Sequence, residues 1–266
     1  MFGSGPPGDS VDYAGNLLGG GILAMLKGGI LSAMLFAQGL EPVDGATRWE
    51  GMEQIFGLLG DVSLSGNFGE GSPFLYETDL LLAGAQGGSM LGASGQSILF
   101  AAAGSYNSLG YRLDPHHAFH LGYGFQHVLP PLAGQPTNEN RGFQQYTFDE
   151  TTPYGDLKLS SRLEERTVNI ESGLALRVRQ QFQFTRPLTP EWYLVGIDEV
   201  YFNLNTVSWG PATGFDQNRL FLGFGYHFTP EIRGEIGYMN NYINRDLVDD
   251  LDVDFLVMNF YVDLTR

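Results

Sequence analysis

Five histidines, one dense run of carboxylates and several alternating rows of arginine and glutamate are the side chains here whose chemistry could be put to use. The histidines are His116, His117, His120, His127 and His227. A lipid hydrolase would pair one of them with a serine nucleophile and an acidic orienting group. No G-x-S-x-G or comparable nucleophile context accompanies them, so His116 and His117 are read as solvated turn residues and no catalytic residue is assigned. The run "DLVDDLDVD" at 246–254 offers Asp249, Asp250, Asp252 and Asp254 as oxygen ligands for a calcium-type cation. It lacks the glycine-containing spacing of a calcium loop, so the expectation is a solvated external loop, with no metal and no cofactor.

The charged rows are the more informative feature. In 155–167, Lys158, Ser160, Arg162, Glu164 and Arg166 alternate with Leu157, Leu159 and Leu163. In 172–186, Arg177, Arg179, Gln181 and Gln183 alternate with Leu174, Leu176, Val178, Phe182 and Phe184. Arg219 and Glu235 stand in the polar rows of 215–228 and 231–244, opposite Leu220, Leu222 and Phe224 in the one and Ile232 and Ile236 in the other. A period of two belongs to a strand whose two faces meet different surroundings. The chemistry therefore has to be carried on strands.

Twelve segments of this kind are expected, near 47–56, 60–68, 73–83, 98–112, 116–128, 142–150, 155–167, 172–186, 191–205, 215–228, 231–244 and 253–264. Their connections alternate in length. "GEGS" (69–72), "DPH" (114–116), "TTPYG" (151–155), "PLTPE" (187–191) and "TPE" (229–231) are short, whereas 84–96, 129–142, "TVNIE" (167–171), 205–215 and 245–252 are the longer set. Short turns at one end and long loops at the other are the outer-membrane pattern, and a soluble sandwich has no such obligation. Trp192, Tyr193, Tyr226, Phe228 and Tyr154 fall toward the short-turn end, and Tyr201, Phe202, Phe215, Tyr238 and Tyr242 toward the long-loop end, where interfacial aromatic girdles would lie. Rows of Arg, Glu and Gln cannot fill the core of a small soluble barrel. The expected fold is thus an all-β transmembrane antiparallel barrel of twelve strands, ten being the runner-up, spanning 40–266 with both ends at the periplasmic, short-turn side.

Composition agrees with one large exported domain. The chain has 266 residues, 43% of them hydrophobic, with 37 Gly and no Cys. A formal charge of −16 argues against nucleic acid as a partner, since phosphate contacts need a basic surface. Absence of cysteine excludes disulfides and thiolate metal sites. Residues 1–39 read as a signal peptide preceded by an over-long start: from Met25, Lys27 gives a positive region, Ile30 to Phe36 an apolar one, and Ala37-Gln38-Gly39 a small-x-small cleavage site. A retained anchor or plug helix is the alternative.

"VGIDEVYFNLN" breaks strict alternation. If Val200, Phe202 and Leu204 face lipid, so does Asp198, which is costly. A β-bulge at Asp198-Glu199 would turn both carboxylates inward and set Asp198 opposite Arg179. The predicted lumenal network is Arg162, Glu164, Arg166, Arg177, Arg179, Asp198, Glu199, Arg219 and Glu235.

The blocks "LKLSSRLEERTV" (157–168), "ALRVRQQFQFTRPLTPEWYLVGIDEVYFNLN" (175–205), "GFDQNRLFLGFGYHFTPEIRGEIGYMNNYINR" (214–245) and "LGYRL" (109–113) resemble the bacterial outer-membrane barrel family called domain of unknown function 2490. The likeness covers roughly 98–264. The Gly-rich segment 47–97 departs from it, and "FYVDLTR" lacks the closing aromatic of barrel assembly signals. The resemblance implies a fold and a Gram-negative outer-membrane location, without an activity. A small porin-like pore with an Arg/Glu-lined lumen is the leading expectation, and a structural or assembly barrel sealed by its own charges is the alternative. A lipid hydrolase is the third, and the protein is expected not to be an enzyme. Membrane lipid and the barrel-assembly machinery are the expected partners; sequence assigns no oligomeric state.

Overall fold

The computed structural model describes residues 52–86, 98–245 and 249–264. The export segment expected at 1–39 lies outside the described residues. Eleven strands form a closed barrel in sequential order: β1 (Met52–Asn67), β2 (Phe74–Gln86), β3 (Ile98–Arg112), β4 (His117–Val128), β5 (Thr137–Thr152), β6 (Gly155–Val168), β7 (Ala175–Pro187), β8 (Trp192–Asn203), β9 (Gly214–His227), β10 (Ile232–Ile243) and β11 (Asp250–Leu264). Neighbours pair antiparallel except at the closure, where β1 runs parallel to β11 from Met52↔Asp250 to Gly66↔Leu264.

Neither twelve strands nor ten is therefore correct among the described residues. The segments 47–56 and 60–68 are not two strands, because β1 passes unbroken through Gly57. Gly57 serves close packing and not a turn: a Cβ there would lie 2.5 Å from the Phe255 ring and 2.6 Å from the Gly84 carbonyl oxygen. An odd count also separates the ends of the barrel. β11 finishes at the short-turn end, whereas β1 starts at the long-loop end beside Asp250. The expectation that both ends share the short-turn side is corrected accordingly.

Local chemistry fixes the turns. Asp114 Oδ1 accepts the backbone N–H of His116 (2.8 Å) and of His117 (2.9 Å), which closes the β3–β4 turn and holds the Asp114 carboxyl below its ordinary value. "TPE" is used twice. Thr189 Oγ1 accepts from the amides of Glu191 and Trp192 at 3.2 and 3.0 Å, and Thr229 Oγ1 accepts from those of Glu231 and Ile232 at 3.3 and 3.1 Å. Inside the wall, glycine makes room for rings projecting from the neighbouring strand. A Cβ on Gly225 would fall 1.9 Å from the Tyr193 ring, and one on Gly122 would fall 2.0 Å from the Phe143 ring.

The two faces differ sharply. Outward rows include Leu82, Leu109, Leu121, Leu222, Phe224, Ile236 and Phe260, all half or more exposed or close to it, forming an apolar belt around the wall. Inward, Ile55, Ala83, Ala85, Leu251, Val253, Phe255 and Val257 pack with Tyr193, Val195, Phe221 and Met239 into an apolar cluster. The inward rows of β5–β7 and of the loop-end halves of β8 and β9 are instead charged or polar.

Two irregularities re-aim side chains, and neither is at Asp198-Glu199. Between Ala83 and Gly84 of β2 the register skips Ala101 of β3. Between Tyr201 and Phe202 of β8 it skips Asp216 of β9. The β7–β8 ladder is continuous, so Asp198 stands opposite Phe182 and Arg179 opposite Tyr201. Asp198 consequently stays on the outward row.

Candidate functional site: the barrel lumen

The inward rows of β5 to β9 come together as a linked set of ion pairs. Nearest the loop end, Glu139 accepts from Arg141 Nε (2.8 Å) and from Arg166 Nε (2.5 Å), and the Arg166 guanidinium lies 5.5 Å from the Trp209 ring of the β8–β9 loop. Glu164, 2% exposed, accepts from Arg177 Nε at 2.9 Å and Nη2 at 2.6 Å. Arg177 Nη1 turns to Asp216 at 2.8 Å, and Asn203 donates to the other Asp216 oxygen at 3.0 Å. The bulge supplies this contact: skipping Asp216 in the ladder drops its carboxylate inward beside Arg177. Glu199 then lies 3.4 Å from Arg179 and 3.8 Å from Arg219, and receives the Tyr201 hydroxyl at 2.8 Å. The Tyr201 ring meets two guanidinia, with Arg177 at 4.6 Å and Arg219 at 5.2 Å from its centroid.

Arg162 differs from the rest. It is 8% exposed, donates from Nε to Gln145 Oε1 at 2.7 Å and stacks 4.1 Å over the Phe143 ring. Among the described residues it has no carboxylate partner. Its cross-strand neighbour is another cation, Arg179, an arrangement that costs energy unless something offsets it.

Of the nine residues named from sequence, Arg162, Glu164, Arg166, Arg177, Arg179, Glu199 and Arg219 are brought together. Glu235 is inside but lies apart from them, accepting from the hydroxyls of Tyr193 (3.0 Å) and Tyr261 (3.1 Å). Asp198 is not in the lumen; its Oδ1 accepts from Asn218 on the outward face at 2.7 Å. The ladder carries no bulge at Asp198-Glu199, and the Asn218 amide of the adjacent strand supplies the outward carboxylate with a donor. The same device recurs on that face: Tyr123 with Asn140, Gln144 with Glu165, and Ser161 with Gln180. Tyr193 and Tyr201, expected in the girdles, point inward and are 3% and 2% exposed.

Sequence reasoning missed Glu139, Arg141 and Asp216. The first two stand in the alternation Glu139, Arg141, Phe143, Gln145; the loop expected at 129–142 covers its start, whereas β5 begins at Thr137. The expected external acidic loop is likewise partly strand. Asp250, Asp252 and Asp254 lie on the outward row of β11 and accept hydrogen bonds from Tyr242, Asn240 and Tyr238 of β10. Among the described residues no cluster of His, Asp or Glu has the arrangement of a metal site.

Below the network is a cavity of about 1310 Å³. Ser72, Asp114, Pro115, His116, Thr151 and Asp263 line its mouth at the short-turn end, and Arg162, Glu164, Arg179, Glu199 and Tyr201 form its roof. No described residue of the long loops lines it. Ser108 Oγ and His120 Nδ1, 3.4 Å apart, also face inward, away from an outer surface at which a lipid ester would arrive. His116 contacts Glu150 at 3.0 Å, and His117 stacks on Tyr146.

With this geometry in view, comparison with known proteins gives two matches. A family model described as protein of unknown function (DUF2490) matches residues 96–252. An uncharacterised protein of Methylorubrum extorquens (strain AM1) is 29% identical over 130 residues, 47% of this chain. The match spans 56% of that protein, little more than half its length. No solved structure matches.

Proposed function

The chain belongs to the DUF2490 family of proteins of unknown function, and on that premise we propose that it is an integral outer-membrane barrel of a Gram-negative bacterium, sealed toward the external side and open to the periplasm. The apolar belt supports the location. Leu121 is 67% exposed, Leu109 63%, Leu82 61% and Leu222 59%. Soluble monomers rarely expose contiguous apolar patches beyond a few hundred Å², whereas lipid-exposed barrel walls require them. The alternation of short turns and long loops orients the barrel with its short turns in the periplasm. Membrane lipid and the barrel-assembly machinery are its partners on this reading.

The observation that carries the sealed state is the buried network itself. A water-filled porin lumen leaves its charged row solvated, but here Glu139, Glu164, Arg166 and Arg177 are 2–7% exposed and neutralise one another by direct contact. Ile55, Ala83, Ala85, Ala101, Ala102, Leu251 and Val253 of the apolar cluster lie on the loop-end inner faces of β1, β2, β3 and β11. The sealed barrel is thus favoured over the open pore.

Location and orientation are tested together with two single-cysteine variants of this cysteine-free chain, Glu70→Cys in a short turn and Ser208→Cys in a long loop. A membrane-impermeant maleimide should label position 208 on intact cells and position 70 only after the outer membrane is permeabilised. The reverse pattern would overturn the orientation. Equal labelling of both in a soluble fraction would overturn membrane insertion.

A further inference from the structure

The cavity is lined by buried and half-buried charged groups of both signs whose hydrogen-bonding capacity the barrel does not fill. On the β6–β7 wall Arg162 donates through Nε to Gln145, and Arg179, whose Nη atoms meet Gln145 and Glu199, keeps a buried Nε without a partner. Glu164 is in contact with Arg177 and Glu199 with Arg179 and Arg219, which leaves Arg162 as the roof cation without a carboxylate in contact among the described residues. On the β1–β2 wall, Asp61, Glu77 and Asp79 face the same cavity, and Asp61 Oδ1 is buried without a hydrogen-bond partner. Three strands (β3–β5) separate the two walls on one side of the ring and four (β8–β11) on the other, so they stand across the lumen from one another.

Leaving an unpaired guanidinium and an unpaired carboxylate half out of water costs several kcal/mol each in order of magnitude, and such groups are normally paired or hydrogen-bonded. Their persistence on opposite walls of one cavity is the signature of a site that a ligand completes. Eleven strands spaced about 4.8 Å and tilted about 40° enclose a wall roughly 22 Å across. Subtracting the reach of an Arg and an Asp side chain leaves roughly 10 Å between charged tips, and one hydrogen bond at each end reduces this to about 5 Å.

We propose that the cavity binds a small zwitterion of dipeptide size, its anionic group on Arg162 and Arg179 and its ammonium on Asp61, Glu77 and Asp79. The ligand enters past the short turns, where the mouth lies. The guanidinium of Arg162 is held flat by Phe143 and aimed by Gln145, which leaves its Nη edge free to meet a carboxylate with two parallel hydrogen bonds. A free anion satisfies the roof alone and a free amine only the acidic wall. Selectivity for the zwitterion follows because each half-ligand leaves one wall unpaired.

The inference rests on the sealed, turn-open barrel, but its test does not depend on membrane orientation. Calorimetric titration of the wild-type barrel in detergent is carried out with diglycine, N-acetyldiglycine (anion only), glycinamide (cation only) and inorganic phosphate. Diglycine should bind at least tenfold more tightly than either half-ligand. Arg162→Gln should abolish the advantage over glycinamide, and Asp61→Asn the advantage over N-acetyldiglycine, while Arg162→Lys retains part of the first. Equal affinity for diglycine and its acetylated form, preference for phosphate, or no measurable binding would each overturn the proposal without bearing on whether the barrel conducts ions.

Discussion

Replacing Glu164 by Gln tests the network at its most buried point. Glu164 accepts both hydrogen bonds from one edge of Arg177, at 2.9 and 2.6 Å, with 2% of its surface exposed. Removing one charge from a buried pair generally costs about 3–5 kcal/mol, chiefly by leaving the other charge uncompensated. Two features place Glu164→Gln at the lower end. The amide oxygen still accepts one N–H, and Asp216 remains 2.8 Å from Arg177 Nη1. The expected loss is about 3 kcal/mol, or roughly a hundredfold in the folding equilibrium. Asp198→Asn is the matched control, the same chemistry on the outward row; there Asn218 donates a single hydrogen bond that an Asn oxygen can still accept, and the cost should stay below about 1 kcal/mol. Reversible urea unfolding in lipid vesicles, followed by tryptophan fluorescence, measures both. If Glu164→Gln costs no more than Asp198→Asn, the network does not hold the lumen together and the reasoning fails.

Further expectations follow from the same contacts. Arg179→Gln and Glu199→Gln should be non-additive by about 1 kcal/mol or more, whereas Arg179→Gln and Asp198→Asn, on opposite faces of the wall, should add; a double-mutant cycle decides. Gly122→Ala should displace the Phe143 ring, cost about 1–3 kcal/mol as an overpacked site, and be relieved by Phe143→Leu in the same background, measured by the same unfolding assay. The Asp114 carboxyl is held below its ordinary value by two backbone N–H donors, so its contribution to the β3–β4 turn is present above the unfolded value and lost as the pH falls through the folded one. The protection of the His116 and His117 amides, relative to their intrinsic exchange rates at each pH, should fall on acidification in the wild type and be low at all pH values in Asp114→Ala.

The strands and turns were legible because period-two alternation and turn chemistry are local. Segments 98–112, 155–167 and 215–228 nearly coincide with β3, β6 and β9. Strand count was not legible, since Gly57 looks like a turn residue until Phe255, far away in sequence, is known to pass over it. The charged rows identified the inward face, but partners depend on register. Asp216 lies in the lumen because the bulge is at that residue and not eighteen residues earlier, and "GFDQNR" carries no mark distinguishing it from "VGIDEV". Asp198 shows the converse limit: hydrophobicity alone argues against an outward carboxylate, and only the cross-strand position of Asn218 makes it acceptable.

Planar-bilayer recording of the refolded wild-type barrel tests the sealed lumen most directly. The account predicts insertion without sustained conductance steps, and the appearance of brief, unstable steps when Glu164→Gln and Glu139→Gln are combined. Stable, long-lived open steps from the wild-type protein would contradict it, because ions would then be passing where Glu139, Arg166, Glu164 and Arg177 are in direct contact.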